Sequence, residues 1–150
     1  MTLPKRVSVL NISKRIAYNM NCNIGEEVGY SIRFDANYCE AKTKIKVLTD
    51  GMLVREMMSD PLLSRYSVLM IDDCHERSTY TDIILGLLKK IRKKRPDLKI
   101  VISSATIEAQ LYYKFFEELP MFKAAIVEVE GRCYPVDIFY LDKPCKNYVT

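Results

Sequence analysis

Residues 66–78 read Tyr-Ser-Val-Leu-Met-Ile-Asp-Asp-Cys-His-Glu-Arg-Ser. The first six form a continuous apolar run, the pattern of a parallel strand buried on both faces. The run stops abruptly at Asp72-Asp73. Carboxylates at the C-terminal end of such a strand point into the crevice where open α/β sheets bind ligands. Two adjacent carboxylates repel each other unless a cation offsets the repulsion. Mg²⁺ suits the place, because it prefers oxygen ligands and shares them with phosphates. These residues alone leave a second reading open, in which the two aspartates simply cap the helix starting near Ser78.

Downstream, Ser78 or Thr79 can cap a helix. Ile83, Ile84, Leu87, Leu88 and Ile91 would form its apolar face. Lys89, Lys90 and residues 92–95 crowd its last turn, where cations oppose the negative end of the helix dipole. The same run could serve as a nuclear-localisation signal or an RNA patch. The dipole accounts for it without either. Lys99–Ser103 reads as another buried strand, Ile107–Phe116 as a helix, and Ala125–Val129 and Val136–Leu141 as further strands. Tyr112, Tyr113, Phe115 and Phe116 share helical spacing with Leu111 and Leu119, which favours core packing over base stacking.

Upstream, residues 7–20 predict a helix packed through Val7, Leu10, Ile16 and Ala17. Val28–Phe34 and Ile45–Leu48 read as strands. Asp50-Gly51 breaks the chain before a short helix, Met52–Met58, that ends ahead of Pro61. Strands alternating with helices predict an α/β domain with a mostly parallel sheet.

Composition narrows the classes. The 150 residues suit one domain, and 49% hydrophobic with 28% charged residues argues against disorder. A net charge of +4 permits binding to a polyanion without arguing for it. The five cysteines form no CxxC pair and His75 is the single histidine, which disfavours zinc and fits free thiols in a reducing compartment. No apolar run approaches the roughly 20 residues that cross a bilayer. Lys5, Arg6, Lys14 and Arg15 precede the first acidic residue, Glu26, so an organelle transit peptide is a minor alternative for this stretch.

Asp72-Asp73-Cys74-His75-Glu76-Arg77-Ser78 resembles the DEAH-E-R-[ST] signature of the DEAH-box RNA helicases. Ser104-Ala105-Thr106 resembles the SAT motif of that family, and Thr49-Asp50-Gly51-Met52-Leu53 its TDGML segment. Gly29-Tyr30-Ser31-Ile32-Arg33-Phe34-Asp35 resembles GYxIRF[DE]. Thr2-Leu3-Pro4-Lys5-Arg6-Val7 is similar to TQPRRV, and Gly131-Arg132-Cys133-Tyr134-Pro135-Val136 to GRxxPV. Six fragments in family order cover nearly the whole chain. Residues 79–90 point further to the spliceosome-associated branch.

The resemblance implies a partial RecA-like (P-loop NTPase) domain over residues 1–130, with its first strand and P-loop absent. Residues 131–150 would lead toward a second RecA-like domain that is also absent. It implies ATP and Mg²⁺ as cofactors, RNA as partner together with spliceosomal proteins, and a nuclear location, with the cytoplasm as alternative. Asp72 would hold Mg²⁺ through water. Asp73 would orient and deprotonate the attacking water. His75 would link the nucleotide site to Ser104 and Thr106, which couple it to domain movement. Pro4, Lys5, Arg6, Thr49, Asp50 and Gly51 would lie along the RNA backbone, a sequence-tolerant and salt-sensitive contact. The structural alternative for Lys5 and Arg6 is a solvated helix start.

Two departures stand against the pattern. Asp73 replaces the glutamate of the family, and no GxxxxGK[ST] loop occurs among the 150 residues. The expected form is therefore an incomplete helicase, inactive by itself, or a catalytically silent RNA- or protein-binding module. The strand that would flank Lys99–Ser103 is missing with the loop, so this strand is expected to present an open edge and to limit solubility.

Overall fold

A computed structural model of the chain describes residues 1–105, 109–117, 123–131, 134–144 and 147. Thr2–Leu3 forms a short strand, β1, at an interior position of the sheet. It is followed by α1 (Arg6–Asn19), β2 (Val28–Ile32), β3 (Asp35–Asn37), β4 (Ile45–Thr49) and α2 (Asp50–Ser59). Then come β5 (Val68–Ile71), a 3₁₀ turn (Cys74–Glu76), α3 (Thr79–Lys94), β6 (Lys99–Ile102) and α4 (Ala109–Glu117). The sheet order is β3-β2-β4-β1-β5-β6. Only β2–β3 pairs antiparallel. The α/β architecture with a mostly parallel sheet is thus the one expected. The six strands are consistent with a partial RecA-like domain.

Two clusters fill the faces of the sheet. Leu3, Val9, Ile32 and Val47 pack with α1 on one side. On the other, Leu48, Leu69 and Ile71 meet α2, α3 and α4 through Leu53, Ile84, Leu88 and Tyr112. Val47 and Leu48 are neighbours on β4 and serve opposite clusters, as the two-residue period of a strand requires. Each fully buried Leu or Ile of this kind contributes on the order of 1.5–3 kcal/mol.

Several local expectations need correction. Thr2–Leu3 forms a strand that the sequence reading did not mark. The buried face of α1 is Val9, Ser13 and Ala17, while Val7 is mostly exposed. Asp50 and Gly51 open α2 instead of breaking the chain, because Thr49 supplies the extended N-cap backbone. Leu85, not Ile83, faces inward on α3, where Thr81, Ile84, Leu85, Leu88 and Ile91 fall on one stripe. Val28–Phe34 is not one strand: a two-residue turn at Arg33-Phe34 folds it back as a hairpin. β5 is covered on one face by Leu69 and Ile71, while Val68 on its other face is half exposed.

Residues 123–131 and 134–144 form neither helix nor strand, although Ala125–Val129 and Val136–Leu141 have strand-like composition. β6 closes the sheet order, and no strand among the described residues pairs with its outer side. Among the described residues no helix is long and apolar enough to cross a membrane.

Candidate functional site

Four adjacent parallel strands end on one edge of the sheet. Leu3 pairs with Thr49, Thr2 with Ile71, and Ile71 with Ile102. The residues that follow these strands are Asp50, Pro4, Asp72 and Ser103. All four loops therefore emerge side by side, and this is the crevice side of an open α/β sheet.

The acidic loop is held at many points. The Asp72 N–H donates to Thr2 O at 3.0 Å, which anchors the loop to β1. The Asp73 N–H donates to Asp72 Oδ1 at 3.0 Å. Asp73 itself adopts a left-handed backbone, φ 55 and ψ 33. The 3₁₀ turn follows, with the Glu76 N–H on Asp73 O and the Arg77 N–H on Cys74 O. Arg77 is left-handed too, φ 50, and its guanidinium grips both oxygens of Asp82 at 3.0 Å. Aspartate tolerates this backbone region better than most residues, so one end of the turn is favoured locally. The other end is held by the bidentate pair.

Cys74 lies beneath the loop, fully buried. Its N–H donates to Ser103 O at 3.1 Å, and its carbonyl accepts from the Tyr112 hydroxyl at 2.9 Å. Tyr112 thus packs in the core, as its spacing suggested, and also pins the loop. Burial pushes the Cys74 thiol up to about 12, with Asp50, Asp72 and Asp73 adding to the effect. Because no part of Cys74 reaches solvent, it is expected to resist a thiol reagent in the folded state. Cys22 and Cys39, both partly exposed, should react before it. Mass spectrometry of briefly labelled protein checks the order. Early labelling of Cys74 would mean that the loop opens.

His75 Nδ1 accepts the Ala105 N–H at 3.3 Å. This bond requires the tautomer with its proton on Nε2. The loop is thereby tied to the segment after β6, and Ser104 flanks the contact. Thr106 lies outside the described residues.

Asp50 is the residue that the sequence places least well. It is 1% exposed, and its side chain turns into the protein. Oδ1 accepts from Thr2 Oγ1 at 2.5 Å and Oδ2 from Thr81 Oγ1 at 2.5 Å. Ser78 Oγ stands 3.5 Å from Oδ2 and caps α3 by accepting the Thr81 N–H at 3.1 Å. Asp50 therefore joins β1, α2 and α3, and its carboxyl cannot line a solvent channel. Thr49 is also buried, while Gly51 is half-buried.

Lys5 and Arg6 lie beyond β1 on the exposed edge. The Lys5 ammonium donates to Glu76 Oε1 at 2.6 Å, and Arg6 donates to Arg33 O at 2.7 Å. Pro4 is half-buried beside them. Arg33 and Phe34, at the tip of the β2–β3 hairpin, join this edge without having been singled out as site residues. Phe34 is 89% exposed at φ 69, with the Arg33 guanidinium 4.7 Å over its ring. No glycine or asparagine marks this turn, so the hairpin is silent in the sequence.

The acidic pair fits a cation on the geometry at hand. Among the described residues, nothing donates to the Asp73 carboxyl or to Asp72 Oδ2. Two half-buried carboxyls with unengaged oxygens suit a hard cation that also holds phosphate. No group of three or more His, Cys, Asp or Glu residues able to enclose a metal occurs among the described residues.

No family model matches the chain. Curated relatives do. The human protein named "Probable ATP-dependent RNA helicase DHX35" is 50% identical over 154 aligned positions. Its Pongo abelii counterpart of the same name is 49% identical over 154. Each alignment takes in 99% of this chain, but the chain spans only 22% and 21% of the two relatives. Over nearly its whole length the chain is thus similar to one part of these RNA helicases.

Proposed function

We propose that the chain supplies the metal and water-activating side of an ATP site, and the adjoining RNA face, of an ATP-dependent RNA helicase. One observation carries the reading: the acidic loop and the cationic edge leave neighbouring parallel strands, joined through Thr2 O and the Asp72 N–H. When bound, Mg²⁺ would supply positive charge to the phosphates. Asp72 would hold it through water, and Asp73 would orient the attacking water and accept its proton. His75, through Ala105, would pass the state of the loop to Ser104 and Thr106. Residues 131–150 would lead out toward a second domain. The 150 residues carry no GxxxxGK[ST] loop, so the phosphate cradle has to be supplied from elsewhere.

On the other side of β1, Lys5 and Arg6 would face RNA phosphates. The buried carboxyl of Asp50 makes its own contribution indirect. The free backbone N–H groups at the start of α2, beside Gly51, are the part of that turn suited to phosphate. Arg33 and Phe34 would extend the same face with a cation and a stacking surface. The sequence similarity of residues 79–90 supports spliceosomal partners and a nuclear site of action.

A second reading is favoured by Asp73, whose shortened side chain suits a silent RNA-binding module. ATP hydrolysis, measured with the phosphate-binding loop present, separates the two. RNA-stimulated turnover that collapses in Asp72→Asn supports the helicase. Salt-sensitive RNA binding without turnover supports the silent module. Neither turnover nor RNA binding would sink both.

A further inference from the structure

Lys5 and Glu76 are 71 residues apart, yet their side chains meet at 2.6 Å. The Lys5 side chain is 63% exposed and that of Glu76 26%. Lys5 is the first cation beyond β1, on the edge assigned above to RNA. Glu76 belongs to the acidic loop, next to His75. The contact therefore crosses from one half of the proposed site to the other.

The two partners are not equally mobile. The Glu76 backbone sits in the 3₁₀ turn, with its N–H on Asp73 O and with Arg77 locked behind it by Asp82. The Lys5 carbonyl accepts the Val9 N–H at 3.1 Å as α1 begins, but its four-carbon side chain can swing outward. Asp73 adds a weaker attraction on the same ammonium, after the hydrogen bond and charge of Glu76, and together they raise the Lys5 pKa. Arg6 differs: it donates to a carbonyl, and among the described residues no carboxylate pairs with it.

We propose that Glu76 competes with RNA phosphate for Lys5, so that the acidic loop and the RNA strand share one cation. The inference rests on the RNA face proposed above. An exposed pair of this kind is weak enough for a phosphate to displace. RNA engagement frees Glu76, and any rearrangement of the acidic loop that withdraws Glu76 frees Lys5. The two effects are equal by linkage, because a binding coupling is reciprocal. Glu76 acts here as a positioning residue, through Lys5.

The test is binding of a fluorescent single-stranded oligoribonucleotide across a salt series, by the full chain and its variants Glu76→Gln, Lys5→Ala and the double mutant. Glu76→Gln is expected to tighten binding about two- to fivefold at low salt. It should also steepen the plot of log affinity against log salt, by at most about 0.7, because Lys5 then meets phosphate in every complex and not only in a fraction of them. A purely structural role for Glu76 would not steepen that slope. In the Lys5→Ala background both gains should vanish. Glu76→Ala serves as a second variant and has to move affinity in the same direction. RNA binding indifferent to Glu76, or weakened by its loss, overturns the competition and leaves the RNA reading standing. Absence of RNA binding in every form overturns the RNA reading and the competition with it.

Discussion

Replacing Asp50 by alanine is expected to destabilise the folded chain by about 3 kcal/mol. Thr2 and Thr81 are fully buried, and both hydroxyls donate to the Asp50 carboxyl at 2.5 Å. Its removal leaves Thr2 Oγ1 without a partner. Thr81 Oγ1 keeps only Ser78 Oγ, at 2.7 Å. A buried hydroxyl stripped of its acceptor carries a desolvation penalty of about 1–3 kcal/mol, and a small cavity adds to it. Asp50→Asn should cost less, since the amide can still accept from one hydroxyl and donate to the other. A triple change of Thr2→Val, Asp50→Leu and Thr81→Val should recover much of the loss, because it removes both sides of the network. Urea unfolding of the four proteins measures this. If Asp50→Ala and wild type unfold at the same midpoint, Asp50 is no anchor, and an RNA-facing role for its side chain returns.

Asp50 also shows where a sequence stops being legible. The resemblance placed it with Thr49 and Gly51 on the RNA backbone, because short motifs record that a residue matters and not which way it points. Its partners, Thr2 and Thr81, are 48 and 31 residues away and carry no local signal. The acidic loop was easier to read. An apolar run ending in two carboxylates is a local pattern, and β5 delivers Asp72 and Asp73 to the strand end as that pattern requires. The α3 cap at Ser78 was equally local. The apolar face of α3 was read correctly at Ile84, Leu88 and Ile91 and missed only where Ile83 was chosen over Leu85, because both are apolar and only the packing against α2 and the sheet chooses between them. Ala125–Val129 and Val136–Leu141 have the composition of strands, yet neither pairs with the open outer edge of β6.

Asp73→Glu is expected to raise ATP turnover by about ten- to a hundredfold, measured with the phosphate-binding loop present. The aspartate carboxyl stands roughly 1–1.5 Å short of the reach of glutamate, the span of one methylene. Displacements near 1 Å at a reacting group can cost about 10²-fold. The structure adds an opposing effect that the sequence does not reveal. Residue 73 is left-handed, φ 55 and ψ 33, a region where aspartate is at home and glutamate is not. The longer side chain should therefore cost about 1 kcal/mol of stability in this turn. The two effects act on different quantities. About 1 kcal/mol of folding free energy lowers the melting temperature by a few degrees in a domain of this size. A hundredfold in rate corresponds to about 2.7 kcal/mol on the barrier. The variant should thus melt earlier and turn over faster, and that opposition is the signature to look for. Equal turnover by the two forms would show that Asp73 already reaches the water, or that another group takes its proton. Faster turnover without a loss of stability would mean that the loop has relaxed out of the left-handed conformation, and the distance of His75 from Ala105 should then change with it.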